Sequence, residues 1–399
     1  MTSTQRVQPA DATVRAERVP SAALLHYAAL LSGFGTAFLG PSLPAMTGAL
    51  HLSDRGAGAL LAAQFTGAFL GGWTTRTPLR RCMLRGYTAA VLGFASLAAA
   101  LLSHLPAGFT LAALLLLGFG VGQIITSNNL LASLRWPRRR GAALTLLNFT
   151  WSAGALCAPL LLPSLLGRHA PAFIFAAVAA LLAAGLLGTA LASSDAATPV
   201  EAQQPATSAA GLSRNTFLYF CLQLFLYGGV ETSLSGWLTT YDLRYTGATE
   251  AFAASTAAFW FCLTGTRAAA SALLLRLPER PMLRTGLIVT ICMLAALLAF
   301  GHGHLLPVLA GLTGAALAPW FPLLFSGLVG EGPTAAQAGR IVAVSGLGAA
   351  ALPWLVGQVS AGTGSLREAL LLPIAGTIAL LFLSFRRAPA LARPLENAS

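Results

Sequence analysis

The chain contains no lysine. That absence removes the phosphate-cradling loop GxxxxGK followed by Ser or Thr, and with it the usual nucleotide-driven pump. Charge of either sign is scarce: 9% of the 399 residues are charged and 56% are hydrophobic, the balance of a polytopic membrane protein rather than of a globular domain. Cysteine is sparse as well. Cys82, Cys157, Cys221, Cys262 and Cys292 are scattered without a CxxC pair, so neither a zinc site nor a disulfide framework is indicated. His302 and His304 sit in GHGH and, with His51, His104 and His169, read as outer loop ends rather than as a gathered metal site. Neither a metal nor a cofactor is expected, and no water-soluble catalytic domain fits, so an enzyme is not expected either. The glycines of GFGVGQ (118–123) lie inside a long apolar run with no strand before it; they read as helix packing, not as a dinucleotide loop. The polar N-terminal tail, with Arg6, Arg15 and Arg18, lacks the apolar core of a signal peptide.

What the chain does have is apolar length. Twelve stretches approach the roughly 20 residues needed to cross about 30 Å of hydrocarbon. They lie near 21–45, 54–74, 82–103, 107–133, 140–163 and 169–192, then 214–241, 250–275, 282–300, 305–327, 337–358 and 366–385. The expected fold is therefore all-α, with twelve transmembrane helices. If both termini are cytoplasmic, 20 of the 24 arginines fall on the inner side and only Arg55, Arg168, Arg244 and Arg367 fall outside. That is a strong positive-inside bias and predicts a multi-pass protein of the cell inner membrane. It also accounts for the net charge of +12 through anionic lipid heads, without a nucleic-acid partner.

One polar connection interrupts this pattern. SSDAATPVEAQQPATSAAGLS (193–213) has no apolar periodicity and reads as a flexible cytoplasmic linker. The expected organisation is a tail at 1–20, a six-helix half at 21–192, the linker, a second six-helix half at 214–387 and a tail at 388–399. The halves repeat. RTPLRRCMLR after span 2 and RLPERPMLR after span 8 are both short and Arg-rich, while GFGTAFLGPSLPAM (33–46) aligns on GGVETSLSGWLTTY (228–241), setting Thr36 opposite Glu231. Two related six-helix halves with a site between them at the midplane form a transporter architecture.

Glu231 is the one carboxylate placed deep within an apolar segment, in YGGVETSLSGW. An acid there is costly unless it faces a cavity or a partner, so it marks a polar pathway; the plain alternative is a neutral carboxyl hydrogen-bonded inside the bundle. Gly228, Gly229, Thr232 and Ser235 beside it are expected to let the helix unwind and offer oxygens. Neutral polar and aromatic groups at mid-span supply the substrate-site candidates: Gln64, Asn128, Asn129, Asn148, Tyr227, Trp237, Trp260 and Trp320, with Gln123 and Gln223 also in range. Amides donate and accept at once, which suits hydroxyl-rich ligands, and an indole face can cover the C–H face of a sugar ring. For the asparagines, interhelical bonding is the competing reading, and for the tryptophans, packing. The set contains no inward-facing arginine of the kind an organic anion needs. Trp260 and Phe261 are expected to cluster with Glu231, and Arg267 is expected near the inner end of span 8. There it either snorkels to the interface or, like Arg76, Arg80 and Arg81, latches an inner gate.

Taken together, GFGTAFLGPSLPAM, GFGVGQIITSNNLLASL, RGAALTLLNFTWSAGALCAPLL, YGGVETSLSGWLTTY and FWFCLTGTR resemble the major facilitator superfamily over the whole chain. In detail they look most like its fucose/galactose/glucose:proton symporter group and the related sodium-dependent glucose transporter-like proteins. The resemblance implies the major facilitator fold, two halves related by a pseudo-two-fold axis, and alternating access. The group's acids in spans 1 and 4 are missing here: Thr36 stands in span 1, and Ile124 and Ile125 precede Asn128 and Asn129. Glu231 is left as the coupling candidate, for H+ or for Na+, and uncoupled facilitation stays open. The sequence reading is thus a monomeric secondary transporter in the lipid bilayer for a small polar solute, a sugar or polyol. Efflux of amphipathic or cationic compounds, and a non-transporting sensor or scaffold of the same fold, are the alternatives.

Overall fold

The computed structural model of the protein describes residues 18–136, 139–166, 168–192, 195–196, 211–246, 254–273 and 279–385. The described helices fall into twelve groups, because three of the apolar stretches are broken. The first half comprises α1 (Ala22–Ala37) with α2 (Leu39–Ala49), then α3 (Asp54–Trp73), α4 (Leu79–Leu102), α5 (Ala107–Arg135), α6 (Arg140–Leu166) and α7 (Pro171–Leu191). The second comprises α8 (Arg214–Tyr245), α9 (Ala254–Leu273), α10 (Glu279–Phe300), α11 (Leu305–Leu317) with α12 (Trp320–Gly330), α13 (Ala335–Thr363), and α14 (Leu366–Ala369) with α15 (Leu371–Phe385). Nine of these groups are long and apolar enough to cross a membrane, and the bent pair α1 and α2 makes ten. With α3 and α9, of 20 residues each, all twelve stretches are accounted for.

Two of the breaks have a local cause in proline. Pro41 and Pro44 remove two backbone N–H donors just after Phe38, so the carbonyls four residues earlier lose their helical partners and the chain bends by 45°. Pro319 and Pro322 do the same between α11 and α12. Helix starts are capped where a side chain can reach: Ser213 accepts from the Thr216 N–H, and Thr334 and Gln337 form a reciprocal capping box at the start of α13. Large apolar side chains such as Phe173, Leu187, Phe261 and Phe382 point outward, which in a lipid solvent is the favourable side.

The internal repeat is visible in the packing. A methyl group at Gly33 would collide with the Trp151 carbonyl of α6, and one at Gly228 with the Ser345 carbonyl of α13; Gly154 and Gly348 answer from the other side, against the Leu30 and Phe225 carbonyls. The offset between the two sets is 195 residues in the first span of each half and 194 in the fifth. Close backbone approach through small residues is how helices associate where there is no hydrophobic drive between them. Gly40 and Ser235 share the 195-residue offset, and Gly40 lies directly against the Ser235 carbonyl, so the pseudo-two-fold axis passes through that contact.

Gly228 and Gly229 therefore serve packing, and α8 runs unbroken through them: the expected unwinding beside Glu231 is absent among the described residues. The linker is not wholly irregular either. Arg18–Val19 (β1) pairs antiparallel with Asp195–Ala196 (β2), while residues 1–17, 197–210 and 386–399 lie outside the described residues. Gly118, Gly120 and Gly122 press on the backbones of α3 and α4, as the packing reading expected.

Candidate functional site

Tyr227 and Glu231 are four residues apart and so share one face of α8. The Tyr227 hydroxyl donates to Glu231 Oε2, and Arg267 Nη2 reaches from α9 to both, 3.0 Å from the Tyr227 hydroxyl and 3.1 Å from Glu231 Oε2. The ion pair is largely enclosed, with side-chain exposures of 19% for Arg267 and 13% for Glu231. On its other edge Arg267 Nε lies 3.5 Å from the Ala318 carbonyl. Pro322 withholds the N–H that would have served that carbonyl in a continuous helix. One guanidinium thus joins a carboxylate, a phenol and the free carbonyl of a broken span. The Phe321 ring packs on Tyr227 with centroids 5.7 Å apart and closes the apolar side.

This cluster corrects the sequence reading at three points. An arginine does face inward: six further helical residues follow Arg267, the last of them Leu273, which sets it about 9 Å inside the helix end. Its guanidinium turns to the cluster instead of snorkelling to the interface. Glu231 has a counter-charge in Arg267, 3.1 Å away, where the sequence reading gave it none. Phe261, expected beside it, is 67% exposed on the outer apolar face, and Trp260 turns instead to Trp151 across the boundary between the halves, ring centroids 6.1 Å apart.

The remaining candidates divide by what already occupies them. Gln64 is buried, and its Nε2 donates to the Gly35 and Thr36 carbonyls at 2.9 and 3.1 Å, in the last turn of α1 just before the break. Asn128 Nδ2 donates to the Leu25 carbonyl, and the Trp237 indole N–H donates to the Pro353 carbonyl. Trp320 is fully buried against Gly286. Asn129 is half-buried; Asn148 is exposed on α6, three residues before Trp151. Gln223 donates to the Tyr219 hydroxyl, and Gln123 is buried. His26 and Thr150 are joined at 2.9 Å, linking α1 to α6. Several buried polar atoms have no protein partner: Gln123 Oε1, Asn128 Oδ1, Trp151 Nε1 and Trp260 Nε1.

Of the other gate candidates, Arg80 Nη2 donates to the Thr189 and Ala190 carbonyls and so caps α7 in its own half. Arg76 and Arg81 are exposed. A pair the sequence reading did not single out lies at the opposite end of the bundle. Arg244 at the end of α8 grips Asp54 at the start of α3 through two bonds of 2.8 and 2.9 Å, and Ser360 of α13 donates to the same carboxylate.

Residues 25–353 match the sequence model of the Major Facilitator Superfamily. Among solved structures, the fucose:proton symporter of E. coli is 19% identical, with a TM-score of 0.63 over 91% of this chain and 97% of that one. A D-xylose-proton symporter is 15% identical with a TM-score of 0.74, over 90% and 96% of the two chains. A nucleoside transporter is 15% identical with a TM-score of 0.69, over 91% and 98%. Among curated protein sequences none matches.

Proposed function

As the chain belongs to the Major Facilitator Superfamily, we propose that it carries a small, uncharged, hydroxyl-rich solute, a sugar or polyol. It does so by alternating access of two six-helix halves, 21–192 and 214–387, in the inner membrane with the arginine-rich end towards the cytoplasm. The observation that carries this reading is the charge balance of the Tyr227, Glu231 and Arg267 cluster. A cationic ligand would have to draw Glu231 away from Arg267 and leave a guanidinium uncompensated inside the bundle, a loss of about 3 kcal/mol or more. A neutral hydroxylated ligand asks for no such exchange. It can accept from the guanidinium and donate to the carboxylate while both stay paired.

The same balance favours the proton as coupling ion over sodium, since Arg267 stands where a metal cation would bind the carboxylate. Protonation of Glu231 would release Arg267 towards the Tyr227 hydroxyl and the Ala318 carbonyl, both already beside it. The solved structures of similar fold are named for fucose, D-xylose and nucleosides; for this chain the inference rests on the cluster itself.

A thermal-shift screen of the purified protein against sugars, polyols and lipophilic cations tests the proposal, because a ligand of the native state raises its melting temperature. The expected result is a shift with a sugar or polyol, followed by counterflow of that compound in proteoliposomes. A shift with cations alone would move the protein to drug efflux. Sugar binding without counterflow would make it a sensor.

A further inference from the structure

We propose that Asp54, Arg244 and Ser360 form the outer gate of the transport cycle: a strut that holds the two halves together while the central site is open to the cytoplasm. The strut joins one residue of the first half to two of the second. Asp54 opens α3, Arg244 lies in the last turn of α8, and Ser360 lies near the end of α13. Both carboxylate oxygens are engaged, Oδ1 by Arg244 Nη2 at 2.8 Å and Oδ2 by Nη1 at 2.9 Å together with the Ser360 hydroxyl. A bidentate guanidinium fixes orientation as well as distance, so it serves a gate better than a flexible ammonium would.

The backbone beneath the strut is built to close. A methyl group at Gly58 would crowd the Trp354 carbonyl and Gly357, and one at Gly357 would press on the Asp54 carbonyl. Together with Gly40 against Ser235, these contacts bring α3 to α13 and α2 to α8 almost backbone to backbone. The end of α8 that carries Arg244 is tied within its own half. Arg367 donates through Nε to the Tyr241 hydroxyl and through its backbone N–H to the Tyr245 hydroxyl, and its guanidinium lies over the Tyr245 ring, 5.3 Å from the centroid. The glycine seam supplies fit in the closed state, and the ion pair supplies a contact that water can replace when the halves part. Arg244 is 39% exposed, so that exchange needs little desolvation.

The gate rests on the orientation proposed above, and its test separates the two. Leu61 is buried under the strut, against Gly236 of α8. A cysteine placed there, Leu61→Cys, is to be labelled with a membrane-impermeant maleimide in intact cells and in inverted vesicles, with the parent chain and its five native cysteines as baseline. In the otherwise unchanged chain the cysteine should label slowly in intact cells. Adding Asp54→Asn, and separately Arg244→Gln, should raise that rate about five-fold. The charge exchange Asp54→Arg with Arg244→Asp should bring it back to within about two-fold of the starting rate. A gain seen only in inverted vesicles would uphold the gate and reverse the orientation. No gain on either side, or a double exchange that labels faster than both single variants, would overturn the gate, provided each variant melts within a few degrees of its parent.

Discussion

In each half, the second span sends one long polar side chain to the first span, and the two do different chemistry. Gln64 of α3 gives its amide to the Gly35 and Thr36 carbonyls, where two prolines have broken the first span. Arg267 of α9 gives its guanidinium to Glu231 and Tyr227 of α8, which is unbroken. The shared register makes the comparison close. Thr36 and Glu231 are counterparts at the 195-residue offset of the packing glycines, and Thr36 only donates to the Ser32 carbonyl of its own helix. One half has used the position to stabilise a bend, and the other to hold a charge pair. On the proposed mechanism, coupling chemistry resides in the second half alone, and the first is a neutral wall that moves against it.

Truncating each side chain in turn probes that contrast. Arg267→Ala should have the larger effect, because it leaves Glu231 inside the bundle without a counter-charge; a loss of about 3 kcal/mol is expected, seen as a fall in melting temperature. Adding Glu231→Gln should restore most of it, since the uncompensated charge is then gone. If the double variant melts as low as Arg267→Ala, the guanidinium is acting through packing rather than charge. Gln64→Ala should cost less, about 1 to 2 kcal/mol, because two carbonyls lose a neutral donor. It should lower transport in proportion to stability and leave the pH dependence of transport unchanged. A shifted pH profile for Gln64→Ala would erase the distinction between the halves.

How far the sequence foreshadows this depends on the range over which each feature is encoded. The class is written in composition, and the repeat in a 14-residue alignment whose glycines turn out to mark matching helix crossings. Glu231 stands out because an acid in an apolar run is a local anomaly. Arg267 was legible in principle, since AAASAL continues the helix beyond it, but an arginine near a span end fits snorkelling equally well. The outer strut had no local signal: its partners lie 190 and 306 residues apart, Asp54 and Arg244 each read alone as loop charges, and Ser360 as an ordinary helical serine. The occupied indole of Trp237 and the buried ring of Trp320 depend on neighbours in α13 and α10, which no periodicity within their own helices reports.

Glu231, held by Arg267 and Tyr227, is proposed to couple solute movement to protons. Proteoliposomes loaded with the sugar or polyol that stabilises the protein test it directly, by comparing counterflow with accumulation under an imposed proton gradient in the unchanged protein and in Glu231→Gln. Glutamine keeps the size of the side chain and its bonding to Tyr227 but cannot cycle a proton. Counterflow within about two-fold of the unchanged protein is expected, with no accumulation above the equilibrium level. Accumulation driven by the proton gradient in the Glu231→Gln protein at the unchanged level would contradict it.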